Sequence, residues 1–225
     1  MNRTKLETEL LRLGAESIQC RRKCEGVRNS AEEGSIPWQA MVLGQGDEVS
    51  CVIVSLAPPR TASRDQRLLA TAGDQEKMLG YRRSRVESSA FYSKLDAFRR
   101  ELELDGAAIW TTVCKTERIK GQKLPPETVQ TCAESYLARE LELVDKSVPI
   151  IAVGNRVFDT VRQHFPDRFV LNVPSPDGSR GDFQKTLDNK KLLNLANMQI
   201  SANKPGALCL CPPCARKYFA KEKAY

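Results

Sequence analysis

Cysteine is the residue type that dominates the chemistry available to this chain, with eight copies among 225 residues against a single histidine, His164. Cys20 and Cys24 form a C-x3-C pair, and Cys209, Cys211 and Cys214 form C-x-C-x2-C near the C-terminus. Thiolates this close in sequence can grip one metal ion or cluster, and the cations Arg21, Arg22 and Lys23 favour the thiolate form of the first pair. The C-terminal set supplies three thiols, so a fourth donor has to come from elsewhere; zinc is the ion expected there. A structural zinc site combining this set with Cys20 and Cys24 is one arrangement. The N-terminal run Met-Asn-Arg-Thr-Lys-Leu-Glu lacks the apolar segment of a secretory signal, which points to the cytoplasm. In that compartment cysteines serve metal ligation more often than disulfides. A second chemical stretch is Tyr81-Arg82-Arg83-Ser84-Arg85, an aromatic beside three arginines, the composition of a phosphate-gripping loop. The net charge of +7 suits an anionic partner such as nucleic acid.

These residues need a scaffold, and hydrophobic patterning supplies one. Residues 50–60, Ser-Cys-Val-Ile-Val-Ser-Leu-Ala-Pro-Pro-Arg, read as a buried strand entering a loop stiffened by Pro58 and Pro59. Further strands are expected at 107–113, 148–153 and 169–173, with a short additional one allowed at 40–43. Helices are expected at 5–13, ended by Gly14; at 88–102, with Phe91, Leu95, Phe98 and Leu102 on one stripe; from Pro126 onward, with Val129, Cys132, Tyr136 and Leu143 inward; at 156–165; and at 186–196. Residues 66–86 carry no clear pattern. Strands alternating with helices imply a mostly parallel sheet covered on both faces. No apolar run is long enough to span a bilayer, so no membrane partner is expected.

Taken in order, several short motifs resemble the uracil-DNA glycosylase superfamily, in particular its iron–sulfur branches, families 4 and 5. An early cysteine pair precedes a strand ending in Ser55-Leu56-Ala57-Pro58. A strand ending in Thr111-Thr112-Val113-Cys114-Lys115 follows, then a helical Cys132 before Tyr136-Leu137, a strand ending in Ala152-Val153-Gly154, and a strand ending in Val173-Pro174-Ser175. The resemblance covers about residues 20–175. It implies a three-layer α/β/α domain with a central, mostly parallel, four-stranded sheet, placed at residues 1–200; the Cys-rich basic stretch at 201–225 reads as a separate tail. The resemblance also implies a [4Fe–4S] cluster on Cys20, Cys24, Cys114 and Cys132. In the family the third cysteine follows the lysine of its strand motif, whereas here Cys114 precedes Lys115.

The activity implied by the resemblance is excision of uracil or another deaminated base from DNA, single-stranded or damaged, by a monomer. Ala57, Pro58 and Asp65 then form one wall of the pocket, with Asp65 orienting water or stabilising an oxocarbenium-like sugar. Thr112 faces the base edge where the family carries an asparagine. Pro174 and Ser175 meet the DNA backbone, and Arg82, Arg83, Arg85 and Arg180 are candidates for phosphate contacts. Val173 stands where the family's histidine stabilises the departing base. The alternative is a glycosylase-fold module that has lost its chemistry and binds nucleic acid or a protein.

Overall fold

The computed structural model describes residues 2–28, 37–58, 74–178 and 180–220. Its centre is a six-stranded sheet, built from β1 (Met41–Leu43), β2 (Val49–Ser55), β3 (Ala107–Thr112), β4 (Ile150–Val153), β5 (Phe169–Val173) and β6 (Gly206–Cys209). The spatial order is β1-β3-β2-β4-β5-β6, parallel throughout except for β1, which runs antiparallel to β3. The four-stranded expectation is thus corrected to six. β1 has only three residues, and β6 hides a single side chain, Leu208, so neither leaves much periodic signal. β6 also places part of the Cys-rich tail inside the sheet, where Leu171 faces Leu208 and Asn172 faces Cys209.

Alternate residues of the central strands feed two separate cores, as a sheet with both faces covered requires. Val52, Val54, Ile109, Ile150 and Ala152 pack with Leu6 and Leu10 of α1 (Arg3–Ile18) and with Val157 and Val161 of α6 (Asn155–His164). Cys51, Ile53, Trp110, Ile151 and Leu171 pack on the other face with a second set of helices. Leu95 and Phe98 of α3 (Ala90–Glu101) anchor that face with no exposed surface. Burial of a side chain of this size stabilises by roughly 1.5–3 kcal/mol. Among the described residues no helix is long and apolar enough to cross a membrane.

Two helices in the first half of the chain depart from expectation. α1 runs straight through Gly14, whose role is close packing: a Cβ there would lie 2.9 Å from Gln39 Cγ. Residues 75–87, without a pattern in sequence, form α2 (Gln75–Glu87), capped by Asp74, whose side chain accepts from the Lys77 amide at 3.0 Å. Its buried stripe is Met78, Arg82 and Val86, and an arginine on the apolar stripe masks the helical period. The Tyr81–Arg85 stretch is therefore helix, not loop.

The helix that begins at Pro126 is interrupted. α4 (Pro126–Cys132) passes through a π-helical turn, Ala133–Leu137, into α5 (Ala138–Glu142). The single C-terminal helix expected at 186–196 is two, α7 (Asp182–Leu187) and α8 (Lys190–Ser201), and α9 (Pro212–Ala220) follows β6.

Candidate functional site

Chain order against strand order locates the crevice. From β2 the chain crosses to β3 on one side, and from β4 it crosses to β5 on the other. The loops leaving β2 and β4 thus diverge, and open parallel sheets bind ligands outside their carboxyl ends at such a point. A cavity of about 560 Å³ lies there, a volume suited to a small organic ligand. Ser55, Leu56 and Ala57 line it from the end of β2, Gly154 to Val157 from the start of α6, and Ser175 and Asp177 from the loop after β5. Phe91 and Tyr92 close it from the start of α3, with Arg118 at its edge.

Tyr92 is held in an aromatic stack. Its ring lies 5.9 Å from Trp38 at an interplanar angle of 15° and meets Phe91 and Trp110 edge-on, each at 5.1 Å. Burial pushes its phenol well above the usual tyrosine range. α6 starts at Gly154 with φ 90°, a left-handed conformation that glycine adopts without a Cβ penalty. Among the described residues no side chain caps this helix, and Arg156 of its first turn lines the cavity together with Arg118. This wall of the cavity is suited to anionic groups.

Of the residues singled out in sequence, Ala57 and Ser175 line the cavity together. Pro58 is buried behind Ala57, and Pro174 is half-buried beside Ser175. Asp65 lies outside the described residues. Two assignments are corrected. Thr112 has no exposed surface and donates its hydroxyl to the Cys114 carbonyl at 2.8 Å, so it does not face the cavity. Arg82 is buried, with its guanidinium 5.6 Å from the Trp38 ring centre, and burial lowers its pKa to about 10. It packs the core beneath Tyr92 and does not face a phosphate backbone. Arg83, Arg85 and Arg180 are exposed; Arg83 lies in a separate groove beside Thr4 and Glu7 of α1.

Asn155, Arg156, Arg118 and Asp177 went unnoticed in the sequence. The available signal was Gly154-Asn155 at a strand-to-helix junction, a position from which the first turn of a helix faces the crevice.

Cys20, Cys24, Cys114 and Cys132 come near one another, but no three of their sulfurs all lie within 4.8 Å of one another. The neighbouring Cys132, together with burial, pushes the Cys114 thiol far up, and the neighbouring Cys114 draws Cys132 down, to about 7. Burial, then the neighbouring Cys132 and Cys20, raise Cys24. Burial, and then the neighbouring Cys20, raise the Tyr136 phenol. Their frame is rigid: Lys115 Nζ donates to Glu140 Oε2, Thr111 Oγ1 and the Thr112 carbonyl, each at 2.7 Å, and Thr111 Oγ1 donates to Glu140 at 2.6 Å. This buried network ties the end of β3 to α5 across the π-helical turn. The Cys114 amide donates to the Leu56 carbonyl at 2.9 Å, which joins the cysteine-bearing segment to the cavity wall.

Cys209, Cys211 and Cys214 form a tighter group, with all three sulfurs within 4.8 Å of one another, and could hold a metal ion. The Cys209 and Cys211 sulfurs are 3.2 Å apart. Burial pushes Cys209 up to about 12; burial works on Cys211 in the same sense, but bonds from Cys209 and Cys214 outweigh it and hold that thiol below its usual value. No family model matches the chain, and no curated protein matches it.

Proposed function

We propose that this protein is a uracil-DNA glycosylase-like enzyme of the iron–sulfur type, with a three-layer α/β/α fold, which removes uracil or another deaminated base from DNA. The observation that carries this reading is the cavity itself. The loop at 55–58 and the loop at 174–177, which held the two motifs of the resemblance, face each other across it at the topological switch point. In this reading a flipped base enters between Ala57 and Ser175 and stacks near Phe91 and Tyr92. Arg118, Arg156 and the first turn of α6 receive the flanking phosphate. Asp177 is the carboxylate among the described lining residues, and with Asp65 it is a candidate to orient the attacking water.

Cys20, Cys24, Cys114 and Cys132 are the residues that would hold a [4Fe–4S] cluster. Four thiols from three segments, wider apart than the C-terminal group, suit a cluster better than a single ion with Zn–S bonds of about 2.3 Å. Such a cluster supplies a cross-link between the N-terminal segment, the end of β3 and α4. Zinc is the ion proposed for Cys209, Cys211 and Cys214.

A second reading, a binding module without excision, draws on two residues. Thr112 is buried with its hydroxyl engaged, and Val173 is buried at the end of β5, so the positions where the family carries its base-reading asparagine and its histidine offer the cavity no polar group. One assay separates the two. Single- and double-stranded oligonucleotides carrying uracil or hypoxanthine are incubated with the protein and treated with alkali. Strand scission at the damaged base, reduced in Asp177→Asn or Asp65→Ala, supports the enzyme. Tight, salt-dependent binding without scission supports the module.

A further inference from the structure

Asn172 joins the C-terminal thiols to the cavity. It sits on β5 with 1% exposure, between Ala152 of β4 and Cys209 of β6. Its Nδ2 donates to Cys209 Sγ at 3.0 Å and to Asn155 Oδ1 at 2.7 Å. Asn155 lines the cavity at the first residue of α6. The Asn172 Oδ1, also buried, has no hydrogen-bond partner among the described residues. A buried orphan acceptor costs about 1–3 kcal/mol, so something has to favour this orientation of the amide.

A metal-bound sulfur provides the reason. A thiolate only accepts hydrogen bonds, so the group facing it must be the amide nitrogen. Donors to a ligating atom from the surrounding protein orient it and tune its charge. With both Nδ2 hydrogens of Asn172 committed, one to sulfur and one to Asn155, the Asn155 oxygen is held toward the protein. Its own Nδ2, with two hydrogens, is left to turn into the cavity.

We propose that Cys209, Cys211 and Cys214 hold one thiophilic metal ion, and that Asn172 transmits its presence to the cavity by fixing Asn155 as a hydrogen-bond donor toward a carbonyl-bearing ligand. Three thiolates leave one position on a tetrahedral ion for a solvent or exogenous donor. The inference rests on the cavity as a base site only for the identity of that ligand: a keto oxygen, as in uracil, is preferred over the amino group that cytosine presents at the same ring position.

The test uses the full chain loaded with ¹¹³Cd, a thiophilic ion observable by NMR. The expected result is a ¹¹³Cd resonance that is lost in Cys211→Ser and that couples to the Asn172 side-chain amide through the N–H···S bond. In Asn172→Leu the ion stays bound, the Asn155 side-chain amide resonances shift, and the preference for an oligonucleotide with one deoxyuridine over one with deoxycytidine falls by about tenfold, the loss of one base-edge contact. Asn155→Ala, at the exposed rim, keeps the ion and the coupling but loses the same preference. Absence of the Cys211-dependent resonance overturns the metal site. A resonance without coupling to Asn172, or an Asn155 signal unmoved in Asn172→Leu, overturns the relay. Coupling present with neither oligonucleotide bound supports the relay and overturns the base-site reading instead.

Discussion

Cys20, Cys24, Cys114 and Cys132 reach one another from three separate parts of the chain, whereas Cys209, Cys211 and Cys214 share a single strand-to-helix turn. The first group exists only because the fold exists. β3 must be seated, α4 must pass through its π-helical turn, and Lys115 must find Glu140 before the four sulfurs share a neighbourhood. The second group is assembled by local geometry: the Cys214 and Ala215 amides both donate to the Cys211 carbonyl, at 2.9 and 3.0 Å, which curls the turn around its own thiols. A centre of the first kind is coupled to global stability, while one of the second kind can be emptied with little effect on the core.

The largest expected effect comes from the buried ion pair. Glu140→Gln leaves Lys115 charged and 2% exposed, and breaking such a pair costs about 3–5 kcal/mol. Urea unfolding should show that loss; under the proposed metal assignments the iron of the cluster falls with it while the metal of the C-terminal group is retained, and loss of both together would erase the distinction between the groups. Cys211→Ser should abolish the C-terminal metal yet move the unfolding free energy of the metal-free protein by less than about 1 kcal/mol.

Cys51 is a control thiol that belongs to neither group. It is fully buried in β2, and burial raises its pKa from 9.0 to about 12. A thiol raised on folding contributes stability that is whole below its unfolded value and is lost as pH climbs through the folded one. Cys51 should therefore resist alkylation at pH 8 long after Cys211 has reacted, as mass mapping would record, and the metal-free protein should begin to lose its contribution above about pH 9. The smallest effect sharpens the same contrast between fold-held and free-standing side chains. Arg83→Ala should leave stability within about 0.5 kcal/mol and, if Arg83 meets phosphate, lower the salt slope of oligonucleotide binding by about one, whereas Arg82→Ala should destabilise the Trp38–Tyr92 stack without altering that slope.

The contrast also explains what could be read in advance. The C-terminal triad was visible as spacing, because its geometry is local. β2 was visible because a short apolar run bounded by turn residues has few other uses; the loop expected at Pro58 and Pro59 runs on outside the described residues. The gathering of Cys114 and Cys132 was reached only through the order of motifs, since nothing in their spacing requires it. Thr112 was misplaced because strand alternation does not tell which side of a loop end faces the crevice. α2 escaped because Arg82 sits where an apolar residue would mark the helix. Asn155 and Asn172 escaped because their pairing depends on β4, β5 and β6 being neighbours, and β6 itself left a trace of only one buried leucine.

The brevity of the two outer strands bears on how copies of this chain meet. Among the described residues, β1 offers three residues at one margin of the sheet and β6 four at the other. The strand at the second margin leads almost at once into Pro212 and Pro213, which cannot donate to a ladder. A foreign strand arriving at either side would find room for only two or three backbone bonds before the chain turns away. The sheet is long enough to build a cavity between β2 and β4, yet it closes at both margins before it can serve as a template for its own extension.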